Sequence, residues 1–287
     1  MTTYMELFLR ARRALLPGEG EHAGVLAREL LAAAAGKTVE ELTRDMRYYA
    51  PEDTERRLEE YTARSLEGEP TAYIIEKWDF YDLTLTVTPA VLIPRDDTTA
   101  VTDLALHRVK LSKEANPRVL DLCAGSGCIG LAIASRVRDA RVTCGELSEE
   151  AIRVLRRNIQ DLGLSGRVMP LTLDAKKPAG AFLGKFDLIV SNPPYVTTAE
   201  MAALPESVAR YEPAMALHGG TDGLDFYRAI VHNYLPALRP GGHLCLEFGR
   251  GQENAVCRIL GNAGLRIEEI REDGAGIPRA VAAISPQ

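Results

Sequence analysis

The chain has 287 residues, 46% of them hydrophobic, enough for one large or two modest domains with a sizeable core. Its formal net charge of -6 gives no global basic footprint, which argues against a protein that grips nucleic acid mainly through phosphates. No run approaches ~20 apolar residues, so no membrane span is expected, and the five cysteines include no Cys-x-x-Cys pair, so no metal site is expected.

The start, MTTYMELFLRARRALL, carries charges at helical spacing and no small-residue cleavage site, so it does not read as a signal peptide. Cys123, Cys128, Cys144, Cys245 and Cys257 read as free thiols, and a cytoplasmic location is expected. From Met1 to about Glu67 the pattern is helical. Tyr4, Leu7, Phe8, Ala11 and Leu15 recur at helical spacing, as do Val25, Leu26, Leu30 and Leu31. Pro17 and Gly18 are expected to break the first helix and Gly36 to end the second. Thr38 with Glu41 reads as a capping box, and Pro51 opens a charged fourth helix. Residues 1–70 are therefore expected to form a small helical domain that binds a partner or substrate.

Residues 71–94, rich in β-branched and aromatic side chains, read as a β-hairpin linker in which Trp78 is an anchor. Residues 95–287 then carry an α/β rhythm. A helix passes through Val101, Leu104, Ala105 and Val109. Strands are expected at 118–122, 141–144, 168–173, 186–189, 243–248, 266–271 and 279–284. Helices are expected after the glycine turn, over 148–162, 225–238 and 252–263. An irregular insert occupies 197–224.

Two stretches carry chemistry. The first is the turn from Asp121 to Gly130, containing Cys123, Ala124, Gly125, Ser126 and Gly127, between a strand and a helix. Glycine lets backbone approach a ligand closely, and the helix N-terminus favours polar groups. About 20 residues later Glu146 ends the next strand, where an acid takes ribose hydroxyls. That pairing describes a nucleoside site for a dinucleotide or for S-adenosylmethionine. The turn lacks a full G-x-G-x-x-G set, since Cys123 occupies the first glycine's place. A D-x-x-x-G-x-G turn suits a cationic amino-acid tail better than a pyrophosphate. Asp174 sits where an acceptor for an adenine amino group belongs, with a helix cap as the plain alternative.

The second stretch is Asn192-Pro193-Pro194-Tyr195, after the apolar run ending at Val190-Ser191. Two prolines forbid helix and remove two backbone donors. A stiff loop remains, offering a side-chain amide, carbonyl oxygens and an aromatic face to a flat, NH2-bearing group. The plain alternative is a turn that ends a strand.

With these residues in hand the chain resembles the class I S-adenosylmethionine-dependent methyltransferases. More closely, it resembles the protein-(glutamine-N5) methyltransferases of peptide-chain release factors. Glu69-Pro70-Thr71-Ala72-Tyr73-Ile74, Leu92-Ile93-Pro94-Arg95, the glycine turn and Asn192-to-Tyr195 carry the likeness. So do Tyr211-Glu212-Pro213, Gly219-Gly220-Thr221-Asp222-Gly223-Leu224 and Leu246-Glu247-Phe248-Gly249. It departs from the family at Asp96 and Thr99, where proline and glutamate are usual, and at Cys123, Glu146 and Ala175, where glycine, aspartate and an aromatic are common. The resemblance implies a Rossmann-like seven-stranded sheet. It implies a donor site at Asp121, Cys123, Ala124, Gly125, Ser126, Gly127, Glu146, Asp174, Ala175 and Asn192, with S-adenosylhomocysteine as product. It implies an acceptor site at Asn192, Pro193, Pro194 and Tyr195, in which Asn192, Pro193 and Tyr195 are the catalytic set. The implied partner is a class-I release factor, with no membrane and no direct nucleic-acid contact, acting as a monomer. A ribosomal-protein glutamine, an adenine-N6 target and a catalytically dead binding module remain the alternatives. Glu212 and Glu247 read equally as site residues or as a salt bridge and a strand-end cap.

Overall fold

The computed structural model describes residues 2–112 and 114–287; Met1, which opens the expected helical segment, and Lys113 lie outside the described residues. Contacts divide the chain into two compact units. One runs up to Lys77 and includes Glu206–Tyr211, and the other comprises Trp78–Pro205 and Glu212–Gln287.

The first unit is helical. α1 (Tyr4–Glu19) starts on a capping box between Thr3 and Glu6. It passes through Pro17 and stops at Gly20, whose φ is 53°. The expected break at Pro17 does not occur, because a proline in the last turn forfeits only one internal hydrogen bond. α2 (Ala23–Ala35) ends on left-handed Gly36. α3 (Val39–Asp45) carries the Thr38–Glu41 capping box, and α4 (Glu52–Leu66) follows Pro51. Leu7, Leu15, Leu30, Leu31, Leu42 and Leu58 meet in one core, with Ile74 of α5 (Thr71–Ile75). Tyr211 donates its hydroxyl to the Glu67 carbonyl at 3.0 Å, tying the returning segment into this unit.

The hairpin is shorter than its sequence suggests, β1 (Lys77–Phe80) and β2 (Leu83–Thr86). Residues 71–75 instead wind onto the Pro70 carbonyl, and left-handed Glu76 ends that turn. Residues 87–95 form a strap with a turn near its start, where the Val91 N–H donates to the Thr88 carbonyl at 3.0 Å. Trp78 Nε1 holds it by donating to the Pro94 carbonyl at 2.9 Å.

The second unit is a seven-stranded sheet. α6 (Thr99–Leu111) leads into β3 (Arg118–Leu122), α7 (Cys128–Arg136), β4 (Arg141–Glu146), α8 (Glu149–Asp161), β5 (Val168–Thr172) and β6 (Phe186–Ser191). Short helices α9 (Thr198–Met201) and α10 (Glu206–Tyr211) interrupt the insert. α11 (Asp225–Tyr234), β7 (Leu238–Glu247), α12 (Glu253–Asn262), β8 (Arg266–Glu272) and β9 (Pro278–Ile284) complete the chain. α11 ends earlier than expected because Pro236 bars its continuation, and β7 starts correspondingly earlier. The strand order is β5-β4-β3-β6-β7-β9-β8, parallel from β5 to β7, with β9 antiparallel to both neighbours. One sheet face packs on Leu104, Leu131, Ile133, Leu155 and the hairpin's Leu85. The other packs on Tyr227, Tyr234, Val256 and Leu260. No helix is long and apolar enough to cross a membrane among the described residues.

β3 and β6 are neighbours at the point where the strand order reverses. In open α/β sheets ligands bind outside the carboxyl ends of the strands at such a switch point. Asp121 and Asn192 both stand there.

Candidate functional site

A cavity of about 300 Å³ opens at the carboxyl ends of β3, β4, β5 and β6. That is at the lower end for small-molecule sites, roughly 300–1,000 Å³. Cys123, Ala124, Gly125, Ser126, Glu146, Asp174, Ala175, Asn192 and Pro194 line it. Asp121, Gly127, Pro193 and Tyr195 lie close to these residues in sequence and are not among the lining ones.

The glycine turn is built by local geometry. Cys123 has φ 58° and Gly125 φ 54°, so the backbone curls left-handed twice within three residues. Gly127, with φ 85°, caps α7, and a Cβ there would strike Leu131 and Leu155. Gly127 therefore serves close packing. The Asp121 carboxyl is 1% exposed and accepts the Gly130 N–H at 2.9 Å through Oδ2, while Oδ1 is buried without a hydrogen bond. Burial pushes this acid up to about 7, against the pull of the Gly130 N–H, and the Glu146 charge adds to the rise. Asn158 of α8 fixes the turn from below. Its Nδ2 donates to Ser126 O at 2.9 Å and Thr86 O at 3.0 Å, and its Oδ1 accepts the Thr86 N–H at 2.7 Å.

Glu146 accepts three backbone N–H groups, from Gly125, Leu147 and Ser148, at 2.7 to 2.9 Å. A carboxylate has about four acceptor sites, so one remains, on Oε2. Asp174 accepts the Lys176 N–H through Oδ1 and keeps Oδ2 toward Lys177 at 3.7 Å. Phe226 also lines the cavity, under the Lys176 ammonium at 4.4 Å.

At the other end is the diproline corner. Asn192 Nδ2 donates to Thr98 Oγ1 at 3.1 Å, a bond that orients the amide and leaves Oδ1 without a partner among the described residues. The Pro193 carbonyl likewise receives no hydrogen bond among them. Ser191 Oγ donates to Leu122 O at 2.6 Å and locks the ends of β3 and β6 together. Beyond the corner, the Val196 N–H donates to Leu217 O and the Gly219 N–H to Val196 O, both at 2.8 Å. The glycines of the insert are required by this closeness. A Cβ on Gly219 would lie 2.7 Å from Pro194 O and from Tyr195 Cα, and one on Gly223 would strike Tyr195 O. Gln252 clamps the same backbone, donating to Tyr195 O at 3.0 Å and accepting the Gly249 N–H at 2.9 Å.

Glu212 is 6% exposed and pairs with Arg95, and it also accepts the Ile93 N–H. That pair joins the strap bearing Leu92 and Pro94 to the insert bearing Pro213 and Met215, and all four line the cavity. Glu212 is thus a salt-bridge residue. Glu247, 1% exposed at the end of β7, has no ion-pair partner among the described residues. Arg279 pairs instead with Asp97 at 3.0 Å and Asp273 at 2.9 Å.

Sequence reasoning missed Thr98, Asn158, Phe226 and Gln252. Thr98 lies in a loop that the resemblance had singled out. The other three carry no local signal, because Asn158 acts on Ser126 and Thr86, Phe226 on Lys176 and Gln252 on Tyr195, all distant in sequence.

Comparison with known proteins places two segments. Residues 97–210 match the family model described as "Methyltransferase small domain", and residues 6–75 match "PrmC N-terminal domain". A release factor glutamine methyltransferase of Clostridium acetobutylicum is 41% identical over 215 residues, 75% of each chain. One from Bradyrhizobium diazoefficiens is 37% identical over 265 residues, 92% of this chain and 88% of that one. Among solved structures, the hMettl16 catalytic domain in complex with an RNA hairpin superposes with a TM-score of 0.57 at 15% identity, covering 82% of this chain and 84% of that one. A methyltransferase from Pyrococcus furiosus gives 0.51 at 18%, covering 79% and 99%. Both structural likenesses speak to the fold.

Proposed function

The chain belongs to the release factor glutamine methyltransferases, and from that membership we propose that it transfers a methyl group from S-adenosylmethionine to the side-chain amide nitrogen (N5) of the Gly-Gly-Gln glutamine in class-I peptide-chain release factors. The observation that carries this reading is a single cavity with a glycine turn and two acids at one end and Asn192 at the other.

The residues present fit the donor. The left-handed turn at Gly125 brings backbone to the wall, and the one spare acceptor on Glu146 is available to a ribose hydroxyl. Asp174 Oδ2 is available to an adenine amino group, and Leu173, Ala175 and Phe226 supply apolar and aromatic surface. The orphaned Asp121 Oδ1 lies behind the turn. When bound, S-adenosylmethionine supplies an electrophilic methyl carbon on a sulfonium.

An amide nitrogen is a weak nucleophile because its lone pair is delocalised into the carbonyl. Asn192 Oδ1 and the Pro193 carbonyl each accept one N–H of the acceptor amide and so aim its nitrogen. Thr98 holds the Asn192 amide in the orientation this requires. The two acceptors also favour the positive charge that develops on nitrogen. Holding the reactants in attack geometry supplies several kcal/mol, up to ~7–11 in good cases. Tyr195 supplies the aromatic face for the flat amide. The methylated nitrogen is acidic and loses its proton to water, so no dedicated base is assigned. The helical unit recognises the protein substrate away from the reacting loop.

The test is a transfer assay with labelled donor. It offers a release factor, its loop Gln→Ala variant, a ribosomal protein mixture and short nucleic acids side by side. Label is expected on the release factor alone, and its appearance on the Gln→Ala variant or on nucleic acid would overturn the reading.

A further inference from the structure

Thr98 fixes the Asn192 amide, and the Thr98 hydroxyl must in turn be fixed. Parallel pairing of Ser191 with Leu246 makes Asn192 and Glu247 neighbours at the ends of β6 and β7. Between them stands Thr98, 1% exposed and on the cavity wall. Its backbone is pinned by its own N–H on Arg95 O and by Thr102 Oγ1 on its carbonyl. Its side chain does not cap α6, so the hydroxyl is free for other work.

We propose that Thr98 and Glu247 are positioning residues for the methyl acceptor: Glu247 holds the Thr98 hydroxyl, Thr98 holds the Asn192 amide, and the Asn192 oxygen is thereby kept for the substrate. The proposal rests on the glutamine-methylating reading. Three observations carry it. Thr98 has one hydroxyl proton, and its oxygen already accepts from Asn192 Nδ2 at 3.1 Å. That proton is left for another acceptor, and Glu247, buried at the end of the adjoining strand, offers the carboxyl oxygen. Tyr195 and Thr98 both bear electrostatically on the Glu247 carboxyl, so both ends of the acceptor corner converge on one acid.

The third observation is cost. A buried carboxyl without a cation is expensive unless its oxygens are hydrogen-bonded. Glu247 Oε2 has no hydrogen-bond partner among the described residues. A residue serving stability alone would be better replaced by an apolar one. Burial raises its pKa to about 8, the Thr98 contact pulls it down, Asp97 pushes it up, and Arg279 and the Tyr195 contact pull it down. Ionised or neutral, the carboxyl retains an oxygen that accepts from Thr98, so the relay survives its titration.

Thr98→Val keeps the shape and removes the hydroxyl. It is expected to lower kcat about 10- to 100-fold, the scale of a misplaced reactive group, with donor affinity by calorimetry held within about threefold. Thr98→Ser restores the hydroxyl and is expected within about threefold of wild type. Glu247→Gln lowers kcat less than Thr98→Val, and the double variant is no worse than Thr98→Val alone, as members of one relay are non-additive. Selective 15N labelling of asparagine gives a readout that needs no substrate. The Asn192 side-chain amide protons exchange slowly in wild type and Thr98→Ser, and fast in Thr98→Val. If Thr98→Val kept kcat within twofold, if serine failed to rescue, or if the amide protons exchanged alike in all three, the relay would be wrong. A wild type that shows slow exchange but does not methylate a release factor would sink the functional reading and leave the relay standing.

Discussion

The two ends of the cavity are built by opposite means. The donor end is made by backbone: a left-handed residue at Cys123, another at Gly125, and a carboxylate at Glu146 that gathers three N–H groups from within 21 positions. The acceptor end is made by packing across the fold. Asn192 is held by Thr98, 94 positions away, and the Tyr195 carbonyl by Gln252, 57 positions away. The corner's backbone lies against Gly219 and Gly223 of the insert. Binding a donor tolerates small shifts of its groups, whereas aiming a weak nucleophile does not. The acceptor end should therefore be the fragile one in turnover and the donor end the tolerant one.

Asn192→Ala attacks that contrast most directly. Deleting one preorganised polar partner of a transition state costs about 100- to 1,000-fold in kcat. Single-turnover transfer to a release factor should show that loss while donor binding by calorimetry stays within about threefold. Equal losses in both would mean that the ends are not separable.

Gly219→Ala is expected to come next. The added methyl meets Pro194 O and Tyr195 Cα at 2.7 Å, both backbone, so the corner itself must move. Overpacking of this kind costs about 1–3 kcal/mol, and displacing the corner lowers kcat by up to ~100-fold. Gly166→Ala is the control, since a Cβ there meets nothing within 4 Å and its φ is unstrained. Chemical denaturation and kcat measured together check the pair. If Gly219→Ala matched Gly166→Ala in both, the glycine would have no packing role.

The same contrast explains what could be read from the chain. The donor turn was legible because strand, Gly turn, helix and the acid at Glu146 follow one another without interruption between Arg118 and Glu146. The sheet was legible because each strand is a short apolar run with its own boundaries. Pro17 misled because a residue's effect depends on its place in the helix, and residues 71–75 misled because β-branched composition does not exclude one helical turn. At the acceptor corner Asn192 was visible and its holders were not. Gln252 has ordinary neighbours in sequence, and Thr98 and Gly219, though in singled-out segments, show no link to Asn192 there; only the register of β6 with β7 and the return of the insert bring them to the corner.

The smallest expected effect lies at the donor end and concerns pH. Asp121 is buried with its pKa raised from 3.8 to about 7. Between those values the folded chain keeps a proton on this carboxyl that the unfolded chain has lost. Stability therefore falls as pH rises through that window, because the folded state binds more protons there. Asp121→Asn removes the titration while keeping an oxygen for the Gly130 N–H. Its unfolding free energy should change less between pH 4 and pH 7 than that of wild type, as measured by urea denaturation at several pH values. Wild type should gain relative to the variant toward pH 4 and lose relative to it toward pH 7. A steeper fall in the variant would mean that Asp121 is ionised behind the turn, held by a charge of opposite sign. The donor end would then owe more to charge than to backbone.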